Sequence, residues 1–225
     1  VTWYGDDTQR IRAIAILNAL LGSWGRRGGL YRPAKFTVPS VPLPAYKEPA
    51  KTWQDLFPGK FPIASAPVTN VIVDASIPEN KPGFPIKGWF VNGTNLSLTI
   101  PNQANTIKAI QNLDMLVVVD TMPMEITGWA DVVLPECTYL ERYDALRASP
   151  HRRPSIALRM PATEPLNNTK PGYLIARELA LKLGLGDYFP YEKPEDMLDW
   201  QLKKIGSSLE EMQKIGVKNF NRDTD

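Results

Sequence analysis

The chain has 225 residues, 43% of them apolar and 22% charged, which is ordinary for a globular protein with a buried core. A formal net charge of +2 without a dense Lys/Arg stripe gives no reason to expect nucleic-acid binding. No apolar run approaches the roughly 18–20 residues that cross a bilayer, so we expect no direct membrane insertion.

The single cysteine, Cys137, and single histidine, His151, exclude an internal disulfide and a Cys-rich or His-cluster metal site within this sequence. Redox chemistry would therefore need a bound cofactor or residues from sequence not present here.

The first predicted element is an amphipathic helix from Asp6 to Leu21. Apolar residues share one of its faces, namely Ile11, Ile14, Ala15 and Leu21. A glycine-rich segment follows, with glycine at positions 22, 25, 28 and 29. Glycine at this density allows close approach of a ligand to the backbone, but a helix C-cap followed by a loop explains it equally well. The segment lacks the spacing and the Lys-Ser/Thr pair of a phosphate-binding P-loop.

Residues 32–67 contain eight prolines and show little periodicity. The segment carries five large aromatic residues, so we predict an extended strap over the surface with one short helix near Thr52–Phe57. A helical spacing of apolar residues then follows at Val68, Val71, Ile72 and Ala75. This spacing predicts a helix, although the β-branched residues favour a strand.

The centre of the sequence predicts a β-α-β unit. Lys87 to Val91 is predicted to form a strand, Asn102 to Asn112 a helix, and Met115 to Val119 a second strand. The uninterrupted apolar run at Met115–Val119 is typical of a central strand of a parallel sheet that is buried on both faces. A further apolar run, residues 132–134, ends at Pro135.

Loops rich in polar residues follow the first two predicted strands. The candidate site residues are Asn92, Gly93, Thr94 and Asn95 in the loop after the first strand, and Asp120, Thr121 and Met122 in the loop after the second. Because ligands of open α/β sheets bind beyond the carboxyl ends of the strands, these loops form a candidate nucleotide site. The alternative is that Asn-Gly and Asp-Thr only close turns and cap helices, and the sequence leaves both interpretations open. An ordinary NAD site is not expected, since no G-x-G-x-x-G motif is present.

The C-terminal part is predicted to be mainly helical. Residues 139–153 are charged and irregular, and residues 155–160 suggest a strand. Helices are predicted at residues 173–183 and 195–205, and a third is opened by a capping box of Ser208 with Glu211 and closed by Gly216. Residues 219–225 have the appearance of a cut end.

Several reactive side chains in this part have ordinary explanations. Cys137 follows a strand and is better explained as a small buried residue than as a nucleophile. His151 lies among arginines, which disfavour its protonation, and it has no evident carboxylate partner for general-base catalysis. Glu136 and Glu141 do not form a recognisable acid/base pair. The arginines would most simply form a solvated basic loop.

Three motifs carry a resemblance to a known family. They are LNALLGSWGRRGG at residues 17–29, LDMLVVVDTMPMEITGWADVVLP at residues 113–135 and PGYLIARELALKLG at residues 171–184. In order and spacing they resemble the molybdopterin oxidoreductases, or dimethyl sulfoxide reductase family. Three further segments resemble the polysulfide and thiosulfate reductase catalytic subunits, namely WYGDDTQ near the start, LPECTYLERYD at 134–144 and IALRMPATEPL at 156–166. This resemblance does not fix the substrate, and arsenate, tetrathionate and related reductases are the alternatives.

The resemblance implies a Rossmann-like αβα fold and a middle fragment of a longer oxidoreductase of anaerobic respiration. Residues 1–32 would be the tail of a preceding α/β domain, 33–86 a Pro-rich strap, and 87–225 the cofactor-binding domain. The full-length enzyme would carry molybdenum in a bis(molybdopterin guanine dinucleotide) cofactor, and an iron–sulfur cluster is expected upstream. An iron–sulfur subunit and a membrane-anchor subunit are the implied partners, and the periplasmic or cell-surface side of the membrane is the implied location.

The resemblance also assigns roles to residues. It implies that Asn92–Asn95 and Asp120–Met122 hold one guanosine end of the cofactor. Tyr31 and Arg32 follow the glycine segment, where relatives approach the active-site pocket, and Arg32 is the candidate for a catalytic residue. No metal ligand is expected within this sequence. A non-catalytic scaffold or nucleotide-binding module related to the large iron–sulfur subunit of NADH dehydrogenase is the alternative. The polar strand-end residues favour the enzyme.

Overall fold

The structure is a computed structural model, and it describes residues 7–31, 36–60, 69–149 and 153–220. Two compact units share the chain. One, here called the parallel-sheet unit, comprises Val41–Asp144 and Met160–Met197. The other, the antiparallel-sheet unit, comprises Val1–Ser40, Ala145–Arg159 and Leu198–Asp225. The sequence-based division into residues 1–32, 33–86 and 87–225 stays a prediction.

Helices and strands alternate in the middle of the chain. The α-helices are α1 (Asp7–Leu20), α2 (Thr69–Ala75), α3 (Leu96–Thr99), α4 (Gln103–Gln111), α5 (Gly172–Lys182), α6 (Pro194–Lys203) and α7 (Leu209–Ile215). The strands are β1 (Gly88–Asn92), β2 (Met115–Asp120), β3 (Val132–Pro135), β4 (Arg147–Ser149), β5 (Ser155–Ala157) and β6 (Val217–Asn219). Short 3-10 helices lie at Trp53–Asp55, Pro78–Asn80, Glu125–Trp129 and Gly186–Tyr188.

The parallel sheet has the strand order β1-β2-β3, so β2 is the central strand, as predicted. Its residues Leu116, Val118 and Val119 are almost completely buried. The register pairs Asn92 with Val119 and Asp120 with Pro135, which brings the carboxyl ends of all three strands to one edge. The mixed α/β fold with a parallel sheet is therefore confirmed.

Helices α2 and α4 pack against one face of this sheet. The core there combines Trp89 and Val91 of β1 with Leu116 and Val118 of β2 and apolar residues of both helices. Burial of this face outweighs the modest helix propensity of the β-branched residues in α2, so the helical prediction for this segment is confirmed. The buried indole Nε1 of Trp89 donates to Ser76 Oγ at 3.0 Å, which satisfies the only polar atom of that ring.

The antiparallel-sheet unit has the strand order β4-β5-β6 around the fully buried Ile156. Helix α7 begins as predicted, because Ser208 Oγ accepts from Glu211 N at 3.1 Å. In a capping box the Glu211 carboxylate would accept from the backbone N–H of Ser208. Here it accepts from Ser207 Oγ and Lys218 Nζ, so this half of the predicted box is wrong. Strand β4 lies in a segment predicted to be irregular, and β6 reaches into the predicted cut end. Three-residue strands are too short to give a periodic pattern.

Helix α1 is confirmed, but its apolar residues are exposed in this structure, including Ile14, Leu17 and Leu20. The glycine segment after it forms a compact loop with a bridge between Trp24 and Leu30. A Cβ at Gly29 would lie 2.0 Å from the Ser23 carbonyl oxygen, so only glycine fits there. These contacts explain the shape of the loop, and a contact of the loop with a ligand stays a prediction.

Candidate functional site

The candidate site lies at the carboxyl edge of the parallel sheet. Gly93 N donates to Val119 O at 2.9 Å, and Glu136 N donates to Asp120 O at 2.9 Å. These two bonds continue the ladder one residue beyond β1 and β3 and fix the starts of the loops that follow those strands against the end of β2. The two loops that the sequence singled out are therefore adjacent.

Asp120 is the last residue of β2 and is only 9% exposed. Its Oδ1 accepts from Thr121 N at 2.7 Å. Its Oδ2 is buried and has no hydrogen-bond partner, a property that it shares among the described residues only with Arg177 Nε. A buried carboxylate oxygen without a donor is costly, so this atom is suited to a donor from a ligand.

Asn95 and Glu125 connect the two loops. Asn95 Nδ2 donates to Glu125 Oε2 at 2.5 Å, and Asn95 Oδ1 accepts from Ser97 Oγ at 2.6 Å. Asn95 and Ser97 are both buried. The first loop also contains α3, a single turn that the sequence analysis did not predict, because four residues carry no measurable period.

The remaining predicted residues line the outside of these loops. Met122 is 63% exposed, and Asn92 and Thr121 are exposed as well. Gly93 has φ of 60°, and a Cβ there would meet nothing within 4 Å, so its backbone is open to an approaching ligand. Thr94 is half-buried beside it. Arg32 lies outside the described residues.

Glu136, the first residue after β3, is part of a buried ionic network. Its Oε1 accepts from Arg142 Nη1 and, at 3.1 Å, from the backbone N–H of Gly172 at the start of α5. Arg142 also donates from Nε to Asp144 Oδ1 at 2.9 Å and from Nη1 to Cys137 O at 3.0 Å. This network joins the end of β3 to α5.

Glu141 has a separate role. Its two carboxylate oxygens accept from Thr138 N at 2.6 Å and from Leu166 N at 2.9 Å. These backbone N–H groups hold the pKa of Glu141 below its usual value. Because Glu136 and Glu141 each serve a different structural contact, the structure agrees with the sequence in assigning no acid/base pair.

Cys137 is fully buried, and this burial raises the pKa of its thiol. The prediction that it is a buried small residue is confirmed. His151 lies outside the described residues. Within the described ranges, no group of three or more His, Cys, Asp or Glu side chains could hold a metal ion. The described helices include none long and apolar enough to span a membrane.

The sequence analysis missed the role of Asp131. Its Oδ2 accepts from Leu116 N at 2.7 Å, and its own N–H donates to Leu116 O at 2.9 Å. Asp131 therefore extends the pairing of β2 and β3 by a side chain and fixes their register. Asp131, the aspartate of the motif ADVVLP at residues 130–135, therefore has a structural role. The only sequence signal for this role is its position directly before an apolar run.

The edge is mainly acidic. Asp120 ends β2, Glu125 lies in the loop after it and Glu136 directly follows β3, so three carboxylates lie at or after these strand ends. The guanidinium of Arg142 pairs with Glu136. Such an edge offers acceptors, and it suits a ligand that presents N–H or O–H donors better than it suits a phosphate.

Residues 5–182 match the family profile described as Molybdopterin oxidoreductase. The chain belongs to the molybdopterin oxidoreductase family. It is 29% identical over 96% of its length to the thiosulfate reductase molybdopterin-containing subunit PhsA of Salmonella typhimurium, of which it covers 30%. It is 25% identical over 91% of its length to the dimethyl sulfoxide reductase DmsA of Escherichia coli, of which it covers 26%.

A solved structure agrees with this assignment to the family. The acetylene hydratase from Pelobacter acetylenicus superposes with a TM-score of 0.60 at 26% identity, over 68% of this chain and 20% of that chain. The chain thus spans less than a third of the length of these relatives. Their names include two reductases and a hydratase, so the family accommodates different reactions.

Proposed function

We propose that this chain is part of the catalytic subunit of a molybdenum oxidoreductase and that it binds the guanosine end of a molybdopterin guanine dinucleotide. The observation that carries the proposal is the buried, unpartnered Oδ2 of Asp120 at the carboxyl edge of the sheet. Ligands of open α/β sheets bind at this edge. An orphaned carboxylate oxygen fits a group that brings its own hydrogen-bond donor.

The chemistry of the edge favours the nucleoside over the phosphates. Guanine presents N1–H and N2–H donors on one edge, and ribose presents hydroxyl donors, so either can satisfy a carboxylate. Phosphate oxygens would instead need N–H groups or cations, and the acidic side chains here would repel them. Asp120 would hold the nucleoside, with Asn92, Gly93, Thr94, Thr121 and Met122 forming the surrounding walls.

The molybdenum cofactor, when bound, supplies the transfer of electron pairs. We propose thiosulfate or polysulfide as the substrate, because the similarity to PhsA extends over nearly the whole chain. By the same similarity we propose an iron–sulfur subunit and a membrane-anchor subunit as partners, at the periplasmic or cell-surface side of a membrane. An iron–sulfur cluster and the molybdenum ligand would belong to parts of the protein outside this sequence.

The cofactor assignment is tested by substitution of Asp120 in the product of the complete gene. Asp120→Ala removes the acceptor, and we expect less guanosine monophosphate to be recovered per protein after acid hydrolysis. Asp114→Ala is the matched control, since Asp114 lies in the same unit with its side chain 66% exposed in a surface ion pair with Lys87. Wild-type nucleotide content in Asp120→Ala would overturn the assignment.

The substrate proposal is tested by product analysis. The purified enzyme would receive electrons from a reduced viologen dye, with thiosulfate or polysulfide as acceptor. Two-electron reduction of thiosulfate yields sulfide and sulfite, whereas reduction of polysulfide yields sulfide without sulfite. We expect turnover of at least one of these compounds, and turnover of neither would contradict the proposed substrate class.

A further inference from the structure

We propose that Asn95 and Glu125 form a latch that fixes the two strand-end loops relative to each other and so orients the carboxylate of Asp120. This inference rests on the nucleotide-binding function proposed above. Asn95 follows β1 and Glu125 follows β2, and they are 30 residues apart in the sequence. Their side-chain hydrogen bond, at 2.5 Å, bridges these two loops. Asn95 and Glu125 are therefore positioning residues in this account.

Asn95 is held in the first loop by hydrogen bonds to α3. Its backbone carbonyl oxygen accepts from Leu98 N at 3.1 Å and from Thr99 N at 3.0 Å. Its side-chain oxygen accepts from Ser97 Oγ, and one amide N–H goes to Glu125. The buried side chain of Asn95 thus already bonds within the protein through its oxygen and one amide N–H, so Asn95 is better placed to hold Glu125 than to contact a ligand.

Glu125 transmits this anchor to the second loop. It begins the 3-10 helix Glu125–Trp129, whose first turn is closed by Thr127: Thr127 Oγ1 donates to Met124 O at 2.6 Å and accepts from Met124 N at 3.2 Å. The other end of the loop is fixed by the pairing of Asp120 O with Glu136 N. Residues 121–123 therefore connect two fixed points, the end of β2 at Asp120 and the start of the 3-10 helix at Glu125. The bond between Asn95 and Glu125 holds the second of these points.

The position of this short span determines the orientation of the Asp120 side chain. Thr121 N donates to Asp120 Oδ1 at 2.7 Å, so the backbone at residue 121 sets the direction of the carboxylate and of its free Oδ2. Release of Glu125 would leave the far end of the span held by the buried Ile126 without the bond to the first loop, and we expect this to weaken the bond between Thr121 N and Asp120 Oδ1. The nucleotide would then lose an acceptor that was oriented before it bound, which costs affinity.

The experiment uses the cofactor-loaded product of the complete gene. After dilution, the guanine nucleotide and molybdenum that stay with the protein are measured over time for Asn95→Ala, Glu125→Ala, Glu125→Gln and the Asn95→Ala/Glu125→Ala double variant. We expect each alanine variant to lose nucleotide about tenfold faster, equivalent to about 1.4 kcal/mol. The double variant should be no faster than the worse single variant, since both remove the same bond.

Glu125→Gln distinguishes positioning from direct contact. Glutamine keeps a side-chain oxygen that can accept from Asn95 but has no charge, so a latch predicts nucleotide loss close to the wild-type rate. Ser76→Ala is the matched control for general destabilisation, because it removes the buried bond to Trp89 in the same unit. Ser76→Ala should leave the rate of nucleotide loss unchanged.

The latch would be overturned by additive effects of the two alanine substitutions, by equal losses in Glu125→Gln and Glu125→Ala, or by an equal loss in Ser76→Ala. Failure of the underlying function is distinguishable from these results. If Asp120→Ala retains nucleotide like the wild type, the nucleotide assignment itself is wrong. If Asp120→Ala loses nucleotide faster while both latch variants do not, only the latch is wrong.

Discussion

The buried network around Arg142 should contribute more to stability than any exposed ion pair of the same unit. Its guanidinium contacts Glu136, Asp144 and Cys137 O, and its side chain is only 21% exposed. Removal of one partner of a fully buried pair costs about 3–5 kcal/mol, because the other charge stays buried without compensation. Gly172 N would still contact Glu136, and Arg142 is partly solvated, so we expect about 3 kcal/mol for Arg142→Met.

The comparison is with Lys87→Met, which breaks an ion pair at 3.0 Å whose two side chains are each 66% exposed. An exposed pair contributes less than about 1 kcal/mol. Methionine keeps most of the apolar stem in both variants, so the difference reports the charges. Thermal unfolding monitored by near-ultraviolet circular dichroism should give a Tm about 6–12 °C lower for Arg142→Met and about 0–4 °C lower for Lys87→Met. Equal shifts in the two variants would refute the reasoning.

Three further substitutions test individual contacts. Gly172→Ala should lower Tm although alanine favours helices, because the new Cβ would lie 2.5 Å from Glu136 Oε1. Gly128→Ala is the control: its Cβ would meet nothing within 4 Å, so Tm should change little. Glu141→Gln should lower Tm at pH 7. The difference in Tm between this variant and the wild type should shrink as the pH falls through the lowered folded-state pKa of Glu141, because protonation of the wild type removes the same charge. A difference in Tm that stays constant from pH 7 to 3 would contradict this. Ser208→Ala should cost about 1 kcal/mol in urea unfolding through loss of the N-cap, and no change would exclude the cap as a stabilising contact.

The central features of the fold could be predicted from sequence because they depend on local patterns. The apolar run at Met115–Val119 ends at a polar residue, and this alone predicted the central strand and the position of Asp120. Helix α5 follows from its apolar period, and α7 follows from the cap at Ser208. The parallel pairing of β1 and β2 follows from the helix between them.

The contacts that organise the candidate site could not be predicted, because they join residues far apart in the chain. Nothing local indicates that Asn95 bonds to Glu125, or that Glu136 meets Arg142 and the start of α5 at Gly172. The resemblance assigned Asn95 to the cofactor, and only its hydrogen bonds suggest that it acts on the loop. The orphaned oxygen of Asp120 is likewise a property of burial in three dimensions.

The central claim is that this chain contributes a guanosine site to a molybdenum enzyme. Its most direct test is analysis of the native product of the complete gene for molybdenum and for guanosine monophosphate after acid hydrolysis. The account predicts both, in the ratio of two nucleotides to one molybdenum that a bis(molybdopterin guanine dinucleotide) cofactor requires. A native protein that contains no molybdenum, or that contains molybdenum without guanosine monophosphate, would contradict it.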